Sequence, residues 1–128
     1  MKKIYPAIFE NDPVGYGVYF PDVEGAVTQG KNLEEAMKNA SDALGIMLAS
    51  MIENEEKLTT PTNINEVSKE NDSDIVTLIS VELNDYLTDT QLDKKTLKIP
   101  HWINIRAKKE GINFSNVLTE ALMDKLNV

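Results

Sequence analysis

The sequence predicts an α+β fold, in which an antiparallel sheet and one long helix are followed by a small strand-helix-helix module. Short apolar runs separated by Pro, Asp and Gly fill the first thirty residues, and an amphipathic helix follows them. A further β-branched strand then precedes a basic stretch in which Pro100 and Gly111 mark helix boundaries. We therefore predict a first domain at residues 1–82, a hinge at 83–92 and a second domain at 93–128.

Three strands are expected in the first thirty residues. Residues 4–9 are apolar but contain Pro6, which has no amide to donate, so we expect an edge strand or a bulge there. Residues 16–20 form a second strand after a turn rich in Asn, Asp, Pro and Gly. A short third strand at 26–28 completes an antiparallel meander.

A long helix is the clearest element of the sequence. Asn32 is a favourable N-cap, and Glu35 stands three residues later, as in a capping box. Apolar residues then repeat with helical spacing for more than five turns, as far as Ile52. The stripe is rich in alanine and methionine, which predicts a core face that the sheet can approach closely.

A polar connection and a fourth strand complete the first domain. Residues 53–74 are rich in turn-forming residues and leave room for a short helix. Residues 75–81 are β-branched and almost continuously apolar, which predicts a central place in the sheet.

A short strand and two helices are expected in the second domain. In residues 94–99, leucine and isoleucine face one way, while lysine and threonine face the other. Pro100 suits the first turn of a helix that runs to about Glu110. Gly111 stands where a left-handed residue ends a helix, and Ser115 is the expected N-cap of the last helix.

The size of this second domain predicts a homodimer. Thirty-six residues without metal ligands cannot bury enough surface to fold alone. Antiparallel pairing of two copies of the strand would cover the helices with its apolar side and display lysines and threonines from both chains. Such a two-stranded ribbon fits the major groove of DNA, and its two-fold symmetry predicts a palindromic operator.

The ribbon also predicts which residues contact DNA. Lys94, Thr96 and Lys98 lie on its displayed side, where they can reach base edges and phosphates. The backbone amides of Ser115 and Asn116, at the start of the last helix, could hold a phosphate. The alternative is a dimerisation hairpin whose lysines are only solvated.

The charge balance differs between the two predicted domains. The whole chain carries 13 basic and 21 acidic side chains, a net charge of −8. Residues 1–92 hold six basic and seventeen acidic groups, a net of −11, and residues 93–128 hold seven and four, a net of +3. An acidic body and a basic tail predict two surfaces with different partners.

Composition excludes several classes of protein. The chain has no cysteine, which excludes disulfides, thiolate zinc sites and cysteine nucleophiles. No apolar run approaches the roughly 18 residues of a membrane span, and Pro6 and Glu10 interrupt any signal-peptide core, so we expect a cytoplasmic protein. His101 is the one histidine and has no partnered acid or nucleophile. We therefore expect no catalytic residues, no metal and no cofactor.

Motifs in both domains resemble known families. Residues 94–127 resemble a ribbon-helix-helix DNA-binding domain, in the alternating strand, the helix start at Pro100 and the break at Gly111. Residues 16–25, with the sequence Tyr-Gly-Val-Tyr-Phe-Pro-Asp-Val-Glu-Gly, resemble the HicB antitoxin family, as do the Thr-Gln-Gly step at 28–30 and the helix start that follows.

The HicB resemblance implies a fold, a partner and a role. It implies a partial ribonuclease-H-like fold for the first domain and, as partner, a HicA-type toxin, which is a small mRNA-cleaving protein. The chain would be an antitoxin that neutralises this toxin and represses its own operon, as a homodimer through the C-terminal strand or as a tetramer of two linked dimers.

The charge of the first domain suits such a partner. A toxin that holds RNA must be basic, so an acidic domain matches it electrostatically. Charge and turn position suggest Glu10, Asp12, Asp22 and Glu24 as toxin contacts, and the alternative is that these carboxylates only keep the protein soluble.

Two other functions are open to this sequence. A ribbon-helix-helix repressor could sense a small molecule with its first domain, and a tight complex with a small basic toxin would count against that function. A ribonuclease-H-like nuclease could cleave RNA with divalent metal ions, and absence of cleavage at millimolar Mg²⁺ would exclude it.

Overall fold

Four strands and three α-helices make up the structure, a computed structural model that describes all 128 residues. The chain divides into two units, Met1–Thr88 and Asp89–Val128. The first holds the sheet and one long helix, and the second holds two helices, so the predicted α+β class is confirmed. No helix is both long and apolar enough to cross a membrane.

The sheet is antiparallel, with the strand order β3-β2-β1-β4. Its strands are β1 (Lys2–Asp12), β2 (Gly15–Tyr19), β3 (Val27–Gly30) and β4 (Ile75–Glu82). The predicted meander is confirmed, because β1 pairs with β2 and β2 pairs with β3. Pro13 and Val14 close the first hairpin, in which Asp12 Oδ1 accepts a hydrogen bond from the Val14 amide at 2.8 Å.

Two strand positions were predicted wrongly. β1 lies between β2 and β4 and is not an edge strand, whereas β4 is an edge strand and not a central one. Pro6 is tolerated in β1 because β2 pairs with β1 only from Ile8 onward, so Pro6 lies where β1 has a single neighbour. In β4, Ile79 and Val81 are buried but Leu78 is 49% exposed, so its apolar sequence does not mean burial on both faces.

The long helix α1 spans Leu33–Glu53 and packs on one face of the sheet. The predicted cap is confirmed, since Asn32 Oδ1 accepts a hydrogen bond from the Glu35 amide at 2.8 Å. The helix approaches β3 so closely that a Cβ on Gly30 would stand 2.3 Å from the Ala36 nitrogen. Only glycine fits at this position.

The core of the first unit lies between α1 and the sheet. Its buried apolar residues are Tyr5, Ala7, Phe9, Val18, Phe20, Val23, Ala26, Ala36, Ala40, Leu44, Leu48, Ala49, Ile79, Val81 and Leu83. Full burial of one large apolar side chain stabilises the folded state by about 1.5–3 kcal/mol. The first unit therefore has a hydrophobic core formed by its own residues.

Part of the predicted hinge, residues 83–92, packs on the first unit. A 3₁₀ turn at Leu83–Asp85 follows β4 and buries Leu83 completely. Thr88 then donates hydrogen bonds to Glu53 Oε1, from its amide at 3.1 Å and from its hydroxyl at 2.9 Å. These contacts hold residues 83–88 on the first unit.

Tyr86 strengthens the same attachment. Its ring lies against Gly45 of α1, where a Cβ would stand 2.5 Å from two ring carbons. Its hydroxyl donates a hydrogen bond to Asp42, and this bond together with burial raises the pKa of Tyr86 to about 12.

The second unit contains α2 (His101–Lys109) and α3 (Phe114–Leu126). The predicted left-handed residue between them is confirmed, since Gly111 has φ +68°. The Ile112 amide donates to the Ala107 carbonyl at 3.1 Å, which makes the end of α2 a Schellman motif.

The N-cap of α3 differs from the prediction. It is Asn113, whose Oδ1 accepts a hydrogen bond from the Asn116 amide at 3.1 Å, while Ser115 lies inside the first turn. Asn113 stands two residues before Ser115 and is an equally favourable capping residue, so composition alone could not separate them.

Residues 94–99 form no strand within the single chain, and residues 89–100 have no regular secondary structure. A strand needs a neighbour for its backbone hydrogen bonds, and this unit contains no other strand. No residue of the second unit is buried. Its exposed large apolar residues are Leu92, Leu97, Ile99, Trp102, Ile103, Ile105, Ile112, Phe114, Val117, Leu122 and Leu126.

Candidate functional site

The four carboxylates predicted to contact a toxin lie at two separate places on the first unit. Glu10 and Asp12 are exposed at the end of β1, where Asp12 pairs with Gly15 at the start of β2. Asp22 and Glu24 lie in the turn that follows the other end of β2. The structure therefore does not bring the four together.

Asp22 has a structural role that the sequence did not indicate. Its carboxylate accepts hydrogen bonds from the Thr62 amide at 2.8 Å and from the Thr62 hydroxyl at 2.5 Å. The Tyr5 hydroxyl donates to the Thr59 carbonyl of the same connection. These bonds fix residues 59–62 beside the turn, and Asp22 is half-buried as a result.

Glu10 contributes to a negative potential near Tyr19. Burial raises the pKa of Tyr19, and the charges of Glu70, Glu10 and Asp74 raise it further. Burial disfavours a charge of either sign at this surface, whereas the three carboxylates disfavour a negative charge and favour a positive one.

Two grooves mark the surface of the first unit. The hairpin groove, of about 450 Å³, lies around Gly15 and Gly30 and includes Asp12, Lys31 and Glu35. A second groove, of about 510 Å³, lies between the turn after β2 and the end of α1, and we call it the methionine groove. Its lining residues are Pro21, Asp22, Glu24, Met47, Met51, Glu56 and Thr59.

The sequence analysis missed the methionine groove. Met47 and Met51 belong to the apolar stripe of α1, which predicted a core face, yet both are only half-buried. Glu56 lies in the polar connection after the helix and carried no distinguishing signal. The one sequence feature that could have indicated this groove is the absence of any basic residue from the last turn of α1.

The predicted DNA-contacting residues are accessible. Lys94, Thr96 and Lys98 are exposed and separated by single residues, so an extended backbone would place them on one side. The Asn116 amide donates a hydrogen bond to Asn113 Oδ1 at 3.1 Å in the single chain, and its contact with a phosphate stays a prediction. The Ser115 amide, at the second helical position, makes no capping bond.

The structure offers no arrangement of metal ligands. No group of three or more His, Asp or Glu side chains is placed to hold a metal ion. His101 is the first residue of α2 and is exposed.

Comparisons with known proteins find matches over nearly the whole chain. The family profile described as "HicB_like antitoxin of bacterial toxin-antitoxin system" matches residues 5–121. An uncharacterized 14.9 kDa protein from the rep-hol intergenic region of Haemophilus phage HP1 is 30% identical over 131 residues, which cover 96% of this chain and 97% of that protein.

Two solved structures share the fold over nearly the whole chain. One is a toxin-antitoxin complex from Streptococcus pneumoniae, with 34% identity and a TM-score of 0.63 over 98% of this chain and 99% of that one. The other is the antitoxin HicB of Burkholderia pseudomallei, with 26% identity, a TM-score of 0.70 and the same two coverages.

The fold and these matches define an antitoxin of a bacterial toxin-antitoxin system. The chain belongs to the HicB-like antitoxin family, and the resemblance of residues 16–30 to that family is confirmed.

Proposed function

We propose that the first unit neutralises a HicA-type toxin and that the second dimerises and represses the protein's own operon. The observation that carries the proposal is the division of charge and burial between the units. Met1–Thr88 has a core and holds six basic and sixteen acidic side chains, a net of −10. Asp89–Val128 has no buried residue and holds seven basic and five acidic side chains, a net of +2.

Toxin binding by the first unit is supported by its similarity to known antitoxins and by its negative net charge. A similar chain of known structure comes from a toxin-antitoxin complex. A toxin that cleaves mRNA needs a basic surface to hold RNA, and an acidic antitoxin domain attracts such a surface at long range. In this proposal the first unit has a partial ribonuclease-H-like fold but acts in the cytoplasm as an inhibitor and not as an enzyme.

Dimerisation of the second unit, on which its proposed DNA binding depends, is supported by its exposed apolar residues. Leu97 is 60% exposed and Ile99 is 50% exposed in the single chain. In the proposed ribbon-helix-helix homodimer, residues 94–99 of two chains pair antiparallel and these side chains enter a shared core. Lys94, Thr96 and Lys98 then face the major groove of a palindromic operator.

The ribbon residues provide the test of operator binding. We expect Thr96→Ala or Lys98→Ala to weaken operator binding by about 1–3 kcal/mol while toxin binding is unchanged. Lys38→Ala, on an exposed position of α1, is the matched control and should bind the operator normally. Electrophoretic mobility shifts with the promoter of the operon measure this, and equal loss of both activities would contradict the division of labour.

Salt dependence is an independent measure of the same contacts. The affinity for the operator should fall steeply between 50 and 200 mM salt, as is typical of proteins that displace counterions from phosphates. A flat salt response would mean that the lysines do not contact the DNA backbone.

Toxin neutralisation is tested by co-expression with the small open reading frame next to the gene. The expected result is a stable complex on purification and normal growth of cells in which the small protein alone is toxic. Failure of the pure proteins to associate would contradict the proposal.

A further inference from the structure

We propose that the methionine groove receives an arginine or lysine side chain of the toxin. This inference rests on the proposed function and identifies one place where the first unit would hold its partner. The groove combines a half-buried apolar floor with free carboxylates at its rim, which together suit a long side chain that ends in a cation.

The floor of the groove is built by α1 and the turn after β2. Gly25 has φ +88° and lies against Met47, so closely that a Cβ there would stand 3.1 Å from Met47 Cε. Met51 follows one turn further along the helix. Methionine side chains are flexible and polarisable, so they can adapt to the methylene groups of an incoming lysine or arginine.

The far wall of the groove is held rigidly. Thr59 receives the hydrogen bond of Tyr5, and Thr62 is bonded twice to Asp22. The connection after α1 is therefore fixed at two points on the sheet side. A preformed wall of this kind lowers the ordering cost of binding.

The end of α1 places a carboxylate beside the floor. Glu55 adopts the left-handed conformation with φ +60°, and the Glu56 amide donates to the Met51 carbonyl at 2.8 Å, as in a Schellman motif. The backbone of Glu56 is thus fixed next to Met51. Glu24, on the turn, is the other exposed carboxylate of the groove.

The charges around the methionine groove lack a positive partner. The carbonyl end of a helix carries negative partial charge and normally attracts cations, yet the last turn of α1 contains no basic residue. Lys57 follows Glu56 in the chain but forms no ion pair with either carboxylate. A cation is therefore favoured here and the chain itself does not supply it.

The hairpin groove shows the contrast. Its carboxylates, Asp12 and Glu35, share their cavity with Lys31. A second cation would meet like charge there. This difference is why we assign the basic side chain to the methionine groove and not to the hairpin groove.

The direct test removes the two rim charges without changing their shape. The double variant Glu24→Gln and Glu56→Gln should bind the purified toxin about ten-fold more weakly, as expected for loss of a charge-assisted hydrogen bond. The control is Glu34→Gln with Glu66→Gln, which removes the same charge from exposed positions outside both grooves. Isothermal titration calorimetry measures affinity, and thermal unfolding checks that both variants are folded.

The outcomes separate this inference from the proposed function. If both double variants lose affinity equally, the effect is one of net charge and the groove assignment is wrong. If neither loses affinity while the wild-type chain binds tightly, the groove is not a contact, although the neutralising role stands. If the wild-type chain does not bind the toxin, the proposed function fails and the inference fails with it.

A second variant fills the groove from within. Met51→Lys introduces an ammonium group where the partner's cation is expected, so it should weaken toxin binding at least as much as loss of the rim charges. Replacing each arginine and lysine of the toxin by alanine should then identify one residue whose loss has little further effect in the Glu24→Gln and Glu56→Gln background. Purely additive effects for every toxin residue would overturn the inference.

Discussion

Met1–Thr88 encloses 15 buried apolar residues between α1 and the sheet, whereas Asp89–Val128 buries none although it contains many large apolar side chains. The difference is not one of hydrophobic content but of geometry. A sheet and a helix of one chain can cover each other, while two short helices and an unpaired segment cannot. The first unit thus has its core within one molecule, whereas the second has none in the single chain and would gain one only in the proposed dimer.

The aromatic residues allow the two units to be followed separately. All four tyrosines lie in the first unit, and the only tryptophan, Trp102, lies in the second. Tryptophan fluorescence therefore reports the second unit, and near-ultraviolet tyrosine dichroism reports the first. The predictions that follow use the full-length chain with these two signals.

The largest effect is expected for Leu44→Ala in the core of the first unit. Leu44 is completely buried, so its truncation should lower the free energy of unfolding of this unit by about 2–5 kcal/mol. The urea midpoint of the tyrosine signal should fall by the same amount at all protein concentrations. A midpoint that rises with concentration would show that the first unit also depends on a second chain.

A smaller effect, of a different kind, is expected for Leu122→Ala in α3. Leu122 is 51% exposed in the single chain, so a monomer would lose very little. In the proposed dimer it enters a shared core, and we expect a loss of about 1–2 kcal/mol, seen as a tryptophan midpoint that falls further as the protein is diluted. An unchanged midpoint at every concentration would place Leu122 outside any interface.

The smallest effects are expected at the two helix ends that adopt the same motif. Glu55 and Gly111 occupy the equivalent left-handed position after α1 and α2, with φ +60° and +68°. Glu55→Gly should stabilise the first unit by about 0.5–1 kcal/mol, because glycine adopts this conformation without steric cost. Gly111→Ala should destabilise the second unit by about 1 kcal/mol. Shifts of the opposite sign in urea titrations would contradict the assigned conformations.

Sequence patterns predicted correctly those features that depend on residues close together in the chain. Asn32 and the apolar stripe defined α1, because capping and amphipathic packing depend on nearby residues. The prediction that Gly111 is left-handed was correct for the same reason, because its conformation depends only on how α2 ends.

Features that depend on distant contacts were not predicted. Pro6 indicated an edge strand or a bulge, but β2 pairs with the central strand β1 only from Ile8 onward, so Pro6 has a neighbour on the β4 side alone. Asp22 looked like a solvated acid because nothing in the sequence showed that Thr62, forty residues away, would bond to it. The groove at Met47 and Met51 was hidden for a related reason, since a helical stripe does not reveal which part of it the sheet leaves uncovered.

The absence of a core in the second unit has a consequence for how repression depends on the amount of protein. A repressor that is completed only by a second chain binds its operator in proportion to the number of dimers. When dimers are scarce, that number follows the square of the chain concentration, so halving the amount of protein lowers it about four-fold. In the proposed function, a modest loss of antitoxin would therefore release transcription sharply, and resupply would begin while toxin-binding units are still present.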